Sequence, residues 1–437
     1  MELTKGAKLL IKTLNDHGYK GYAVGGFVRD NLLGKPVFDV DVTTDATPDQ
    51  ILKVFKDFKV YLTGIKHGTV TVNSLGEHIE VTTYRVDGEY NDNRHPDTVK
   101  FVTDLSKDLA RRDFTVNAMA FDGEEIIDLY GGREDLKNKI IKAVGDPYQR
   151  FEEDALRILR GLRFASTLGF EIDIETARAM EEKAHLLKNV SVERIFVELT
   201  KLLLGKGVES VLTKHKNVIF TVIPELKLCD GFDQNTKYHS FDVYMHTVKS
   251  VALSEADKAV RWALLLHDIE KPSCYTVDGN GVGHFYGHQP RSAKTAVAIL
   301  KRFKADNKLI KLCNDLIYLH DIKTEISRAE IKKLLRSYGA ETIKKLACVK
   351  VGDGVAHAPE YAKVRRELSV NFQNAVEDII EKGECYLLKD LKVNGNDFKL
   401  LGYKGLDIKN ALEKALSLVI NGEVQNDKSE ILKRFER

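Results

Sequence analysis

The chain has 437 residues, of which 43% are hydrophobic and 30% charged, enough for several domains and a sizeable core. A formal net charge of +2 excludes a global polycation, so nucleic-acid contacts must come from local basic patches. There is no apolar leader and no run long enough to span a bilayer, and the five scattered cysteines form no Cys-x-x-Cys pair, so we expect a cytoplasmic protein with reduced thiols and no membrane association.

Residues 4–17 read as an amphipathic helix closed by Gly18, and residues 48–58 as a second helix opened by Pro48. Short strands are expected at 21–24, 37–42, 69–75, 78–84 and 98–102, which together argue an α/β head over 1–140. Within it, the Gly25-Gly26 turn lets backbone approach a phosphate closely. Alternation over Val37–Val42 puts Asp39 and Asp41 on one strand face, with Val40 and Val42 on the other. Adjacent carboxylates repel unless a cation neutralises them, and Mg2+ takes such oxygen ligands together with substrate phosphates. Glu80, between Ile79 and Val81, reads either as a third carboxylate for that pair or as a solvent-facing strand residue. Residues 84–97 are polar and irregular, the composition of a flexible loop. An arginine pair such as Arg111-Arg112 clamps triphosphate oxygens, and Asp113 can accept from a ribose hydroxyl; the plainer alternative is an exposed basic turn.

Pro147 opens a helical neck, residues 141–225. Asp154 and Arg157 are three apart on the expected helix, so the simplest reading is an intrahelical salt bridge. A carboxylate only accepts and a guanidinium only donates. Held side by side, they would match the amine and ring nitrogen of cytosine and adenine and reject guanine and uracil. Arg160 and Arg163 continue the row. In the body, residues 226–350, His246, His267-Asp268, His288 and His320-Asp321 are imidazoles and carboxylates spaced as on packed helices, a pattern that can build one or two divalent metal sites. The tail, 351–437, is helical and lysine-rich.

Gly25-Gly26-Phe27-Val28-Arg29-Asp30 followed by Asp39-Val40-Asp41 resembles the signature of class II tRNA nucleotidyltransferases and bacterial poly(A) polymerases, members of the polymerase-beta-like superfamily. Arg111-Arg112-Asp113-Phe114-Thr115-Val116-Asn117-Ala118-Met119 and Glu153-Asp154-Ala155-Leu156-Arg157 extend the resemblance. It implies a nucleotidyltransferase head with a mixed sheet and helices, followed by an all-α neck, body and tail. It implies two Mg2+ on Asp39 and Asp41, with Glu80 as a third catalytic carboxylate. Nucleotide contacts would come from Gly26, Arg29, Arg111, Arg112, Asp113, Asp154, Arg157, Arg160 and Arg163. The implied reaction is addition of CCA to the 3′ end of tRNA from CTP and ATP, with body and tail holding the tRNA and the 84–97 loop needed for the final A.

His267-Asp268-Ile269-Glu270-Lys271-Pro272 resembles the HDIGKP motif of HD-type metal phosphohydrolases, with Glu270 in place of glycine. That resemblance implies Mn2+, Ni2+ or Co2+ among His246, His267, Asp268, His288, His320 and Asp321. Other readings are a poly(A) polymerase, which typically carries a more basic stretch where this chain has Thr63–Val70, a phosphohydrolase with an RNA-binding head, and a non-catalytic RNA-binding protein, against which the carboxylate pair argues. Nothing in the sequence bears on oligomeric state.

Overall fold

A seven-stranded mixed sheet organises the first of two units, Met1–Pro224, in a computed structural model that describes residues 1–37, 39–62, 64–87, 99–236 and 240–436. Its strands are β1 (Gly21–Val24), β2 (Asp41–Thr44), β3 (Lys59–Tyr61), β4 (Thr69–Ser74), β5 (Glu77–Thr83), β6 (Arg85–Asp87), β7 (Val99–Phe101), β8 (Met119–Phe121) and β9 (Ile126–Asp128). The sheet order is β3-β4-β5-β2-β1-β8-β9, and β6 pairs with β7 apart from it. All neighbours in the sheet are antiparallel except β2 and β5. Alternation seats Val70, Val72, Ile79 and Val81 in the core. The helix Lys5–Asp16 starts at Thr4, whose hydroxyl accepts from the Ala7 amide, and it buries Leu10, Ile11 and Leu14.

The strand expected over 37–42 instead runs from Asp41 to Thr44. β1 ends at Val24, opposite Asp41, and Gly25 then turns the chain away at φ +69°, so residues before Asp41 have no antiparallel partner. The side-chain alternation survives the shift: Val40 and Val42 are buried, Asp39 and Asp41 exposed. Residues 88–98, on which most of the loop expectation falls, lie outside the described residues.

The single neck helix expected after Pro147 is two, Pro147–Glu153 and Leu156–Leu168, separated by Asp154 in extended conformation at φ −138° and ψ 101°. Asp146 caps the first by accepting from the Tyr148 amide. Gly161 lets the second helix close on the head: a Cβ there would sit 2.8 Å from Phe114 Cζ and 2.2 Å from Met180 Cε.

The second unit, Glu225–Arg437, is almost wholly helical among its described residues. The helices Val243–Leu253, Lys258–Leu266, His288–Arg302, Asn307–Leu319 and Ala340–Val355 pack around buried Trp262, Leu316 and Leu346. The last of these crosses the expected 350/351 boundary. A separate cluster centred on Phe398, Leu416 and Ile420 holds the C-terminal helices together. No helix among the described residues is long and apolar enough to cross a membrane, and the five cysteines are free thiols.

Candidate active site and metal centre

In the head, the parallel register of β2 and β5 sets Asp41 directly opposite Glu80. Asp41, Asp39 and Glu80 are all solvent-exposed. The Asp41 carboxyl is nonetheless held above its ordinary value, first because the surrounding protein desolvates it and then because Glu80 and Asp39 add negative charge; Arg112 opposes them. Three carboxylates crowd the start of β2 where it pairs with β5 inside the sheet, and they fit a hard divalent cation.

Arg112 lies against the glycine turn, since a Cβ on Gly25 would stand 3.2 Å from its Nη1. Arg111 and Arg112 share buried Asp108, with nitrogen–oxygen distances of 2.7 and 3.4 Å. Burial alone would raise the Asp108 carboxyl; the two guanidiniums outweigh it and hold it below the ordinary value. Beside them a cleft of about 490 Å3 is lined by Lys100, Lys107, Arg111, Arg150 and Glu153.

Arg29 is buried and already engaged, donating to both Asp30 oxygens at 3.0 and 2.6 Å and to Asn117 Oδ1 at 2.7 Å. Asn117 in turn donates to Asp113 Oδ1, and Arg160 donates twice to Asp113 Oδ2 at 2.9 and 2.6 Å. Arg29, Asn117, Asp113 and Arg160 therefore form one relay from the glycine-turn helix to the neck. Burial alone would raise Asp113, but Arg160 and Asn117 bring its carboxyl down to about 2. Asn117 was not singled out by sequence, although it stands in the Arg111–Met119 motif. Arg163 faces Glu198 at 3.1 Å and lies over the Phe164 ring at 4.1 Å.

The expected side-by-side pair of Asp154 and Arg157 is not formed. Because the chain is extended at Asp154, its carboxylate leaves the helix face, accepts from the Leu156 amide and faces Arg194 at 3.2 Å. Arg157 bonds Glu153 Oε2 at 2.7 Å and donates to the carbonyls of Arg150 and Arg111. Glu153 stands in the quoted Glu153–Arg157 motif, but Arg194, which orients Asp154, escaped sequence reasoning. The signal for Arg194 lies 40 residues away, in a helix with no motif read into it.

In the body, four imidazoles converge on two carboxylates. His246 Nε2 stands 2.9 Å from Asp353 Oδ1 and 3.5 Å from Asp268 Oδ2. His267 Nε2 stands 3.1 Å from Asp268 Oδ2 and 3.6 Å from Asp353 Oδ1. On the other side, His288 and His320 place Nε2 at 3.3 and 3.6 Å from Asp268 Oδ1 and at 3.2 Å from each other.

At His267, His288 and His320 the Nδ1 atom bonds a backbone carbonyl three residues earlier, at 2.7, 2.8 and 2.6 Å. A carbonyl only accepts, so each Nδ1 carries the hydrogen and each Nε2 presents a lone pair. Lone pairs therefore face lone pairs and carboxylates. Among the described residues, His267 Nε2 and both Asp268 oxygens complete no well-formed hydrogen bond, although Lys271 Nζ lies 2.7 Å from Oδ2. A divalent cation resolves this set, and the residues fit one. Without it a proton must serve: burial would lower His267, but Asp268 and Asp353 drive it up to about 10, while both carboxyls are held well below their ordinary value.

Asp321 does not join the cluster. It is exposed and accepts from Gln289 Nε2 at 2.8 Å. Its expected place is taken by Asp353, on the Ala340–Val355 helix, seated by a close approach at Gly352, where a Cβ would come within 2.9 Å of Ser250 O and Leu264 Cδ1. A cavity of about 840 Å3 opens onto the cluster and brings Tyr286 and Arg365 to its wall.

Residues 21–142 match the family described as "Poly A polymerase head domain", and residues 169–226 that described as "Probable RNA and SrmB- binding site of polymerase A". The CCA-adding enzyme of Pediococcus pentosaceus is 46% identical over 244 residues, which is 53% of this chain and 59% of that enzyme. The alignment with this relative thus spans less than two thirds of its length. The crystal structure of Bacillus stearothermophilus CCA-adding enzyme in complex with CTP superposes with a TM-score of 0.70 at 31% identity, covering 99% of this chain and 97% of that one. The CCA-adding enzyme of Lactococcus lactis subsp. lactis is 34% identical over 437 residues, 99% of this chain and 96% of that enzyme, and on that full-length match the chain belongs to the CCA-adding enzyme family.

Proposed function

We propose that this chain adds CCA to the 3′ end of tRNA from CTP and ATP, releasing pyrophosphate. The observation that carries the reading is Asp41 set opposite Glu80 with Asp39 beside it, next to the Gly25 turn and Arg112. Asp39, Asp41 and Glu80 would hold Mg2+. Bound there, Mg2+ neutralises triphosphate charge and lowers the pKa of the primer hydroxyl. Arg111 and Arg112, steadied by Asp108, present cations to the triphosphate. The relay through Asp113 and Arg160 fixes head against neck where the ribose lies, and Arg29 serves that relay rather than touching nucleotide directly. Asp154 and Arg157, oriented separately by Arg194 and Glu153, offer the acceptor and donors that select C and A. Most of the rate gain then comes from positioning and fixed charge. The test is the mass of tRNA lacking its last three nucleotides after incubation with CTP, ATP and Mg2+. A gain of two C and one A supports the reading, and no gain overturns it.

A second activity is favoured by the facing lone pairs of the body cluster: a metal-dependent phosphohydrolase centre taking Mn2+, Ni2+ or Co2+. Asp268 lies between two ligand groups, one with His246, His267 and Asp353, the other with His288 and His320. When bound, the cations polarise a phosphoester and activate water. Arg365 and Lys271, at the cavity wall, carry charge complementary to a phosphate. Release of phosphate from a terminal or cyclic phosphate ester by the Mn2+-loaded chain, lost in His267→Ala, is the expected result. No release with any of the three metals would leave the body without this activity.

A further inference from the structure

We propose that His357 is a metal ligand of the body centre, adding an imidazole to the ion held by His246 and Asp353 and making that position one for a borderline transition cation. The proposal rests on the reading of the cluster as a metal centre.

Asp353 lies in the last turn of the Ala340–Val355 helix and His357 two residues beyond its end, folded back so that its ring bonds the Asp353 carbonyl. His357 is 5% exposed. Its Nδ1 bonds the Asp353 carbonyl at 2.9 Å, which puts the hydrogen on that nitrogen and leaves Nε2 as the ring's ligand atom. This is the same carbonyl lock that holds His267, His288 and His320, the imidazoles that build the rest of the centre. The His357 ring stands edge-on to His246, with centroids 5.4 Å apart. His246, Asp353 and His357 each offer a ligand atom, all within 4.8 Å of one another. A cation about 2.0–2.2 Å from each donor needs them no more than about 4.4 Å apart, a few tenths of an ångström inside that limit.

The alternative is a core histidine packed on His246. The carbonyl lock alone does not separate the two, since exposed His17 and His185 make the same bond; packing does not, however, require a ligand atom of His357 among those of His246 and Asp353. Three imidazoles with two carboxylates suit Co2+, Ni2+ or Zn2+ better than Mg2+ or Ca2+, which favour oxygen donors throughout.

The experiment titrates Co2+ into the full-length metal-free chain, with millimolar Mg2+ present to keep Co2+ off the head carboxylates. Binding is read by equilibrium dialysis and by the visible absorption of the bound ion. Both His357→Ala and His357→Gln are expected to weaken the tightest Co2+ step by about 1,000-fold or more and to change the visible band, whereas loss of an outer partner brings about 10- to 100-fold. His284→Ala, at the cavity wall, leaves affinity and band unchanged. Parent-like affinity and spectrum in His357→Ala, with Co2+ lost in His267→Ala, overturns the proposal alone. Loss in alanine but not in glutamine also overturns it, because packing then suffices. Co2+ binding that survives His267→Ala overturns the metal centre itself, and the proposal with it.

Discussion

Glu80 stands directly across from Asp41 in the one parallel strand pair of the head sheet among the described residues, and its charge helps to hold the Asp41 carboxyl above the ordinary value. Desolvation is the larger cause and Asp39 adds to it, while Arg112 acts the other way. Asp39→Ala or Asp41→Ala should cost several kcal/mol of transition-state stabilisation, a fall of about 1,000-fold or more in nucleotide addition, with the fold retained. Glu80→Gln removes a neighbouring charge, so the acid limb of the pH–rate profile should move to lower pH and the Mg2+ needed for half-maximal rate should rise about tenfold. An unchanged Mg2+ requirement would make Glu80 a solvent-facing strand residue.

Base choice should depend on Asp154 and Arg157 separately. Arg157→Ala removes the donors and should cripple CTP and ATP use. Asp154→Ala removes the acceptor for the exocyclic amine and should raise UTP and GTP use relative to CTP by about tenfold to a hundredfold, the worth of one unmatched buried polar group. Arg194→Ala, which frees the Asp154 carboxylate without removing it, should give a weaker version of the same relaxation. Single-nucleotide incorporation with all four NTPs measures this. Wild-type preference in all three variants would place selection elsewhere.

Asp113 should make stability depend on pH in a defined window. Its folded pKa of about 2 lies below the ordinary 3.8, so its contribution is fully present above about pH 4 and is lost as pH falls toward 2. The shift corresponds to about 2 kcal/mol. Asp113→Asn should therefore destabilise the first unit by about that amount at pH 6, and the gap to the parent should close near pH 2. A pH-independent gap in denaturant unfolding would separate the stabilisation from the charge of Asp113.

With millimolar Mg2+ present to occupy the head carboxylates, excess Mn2+ should raise the unfolding midpoint through the body, since about 2.7 kcal/mol accrues when free ligand is a hundred times its Kd. His267→Ala and Asp353→Asn should abolish the increment, and Asp321→Asn should leave it intact. Loss of the increment in Asp321→Asn but not in Asp353→Asn would return the ligand role to Asp321.

What the sequence made legible was local. Asp39 and Asp41 alternate with buried valines over four residues, and that pattern survived even though the strand begins four residues later than expected. His267-Asp268 and its partner histidines were readable from residue type and spacing. What escaped was set by chain geometry or by distant partners. No glycine or proline marks the break at Asp154, so a continuous helix was the natural expectation, and Arg194 meets that residue only through packing of the Val192–Leu203 helix. Asp353 lies 85 residues beyond Asp268, and a nearer aspartate, Asp321, follows a true cluster member, which made it the stronger signal. Parallel pairing of β2 with β5, which turns Glu80 from one of two readings into a neighbour of Asp41, is tertiary information.

The most direct test of the central claim is stepwise addition to three tRNA substrates, ending at the position before CCA, after the first C and after the second C, each given one labelled nucleotide at a time. CTP alone should extend the first by two and the second by one, ATP alone should extend only the third, by one, and CTP with ATP should complete CCA and stop. Repeated ATP addition to any of the three, or no extension of any, would contradict the account.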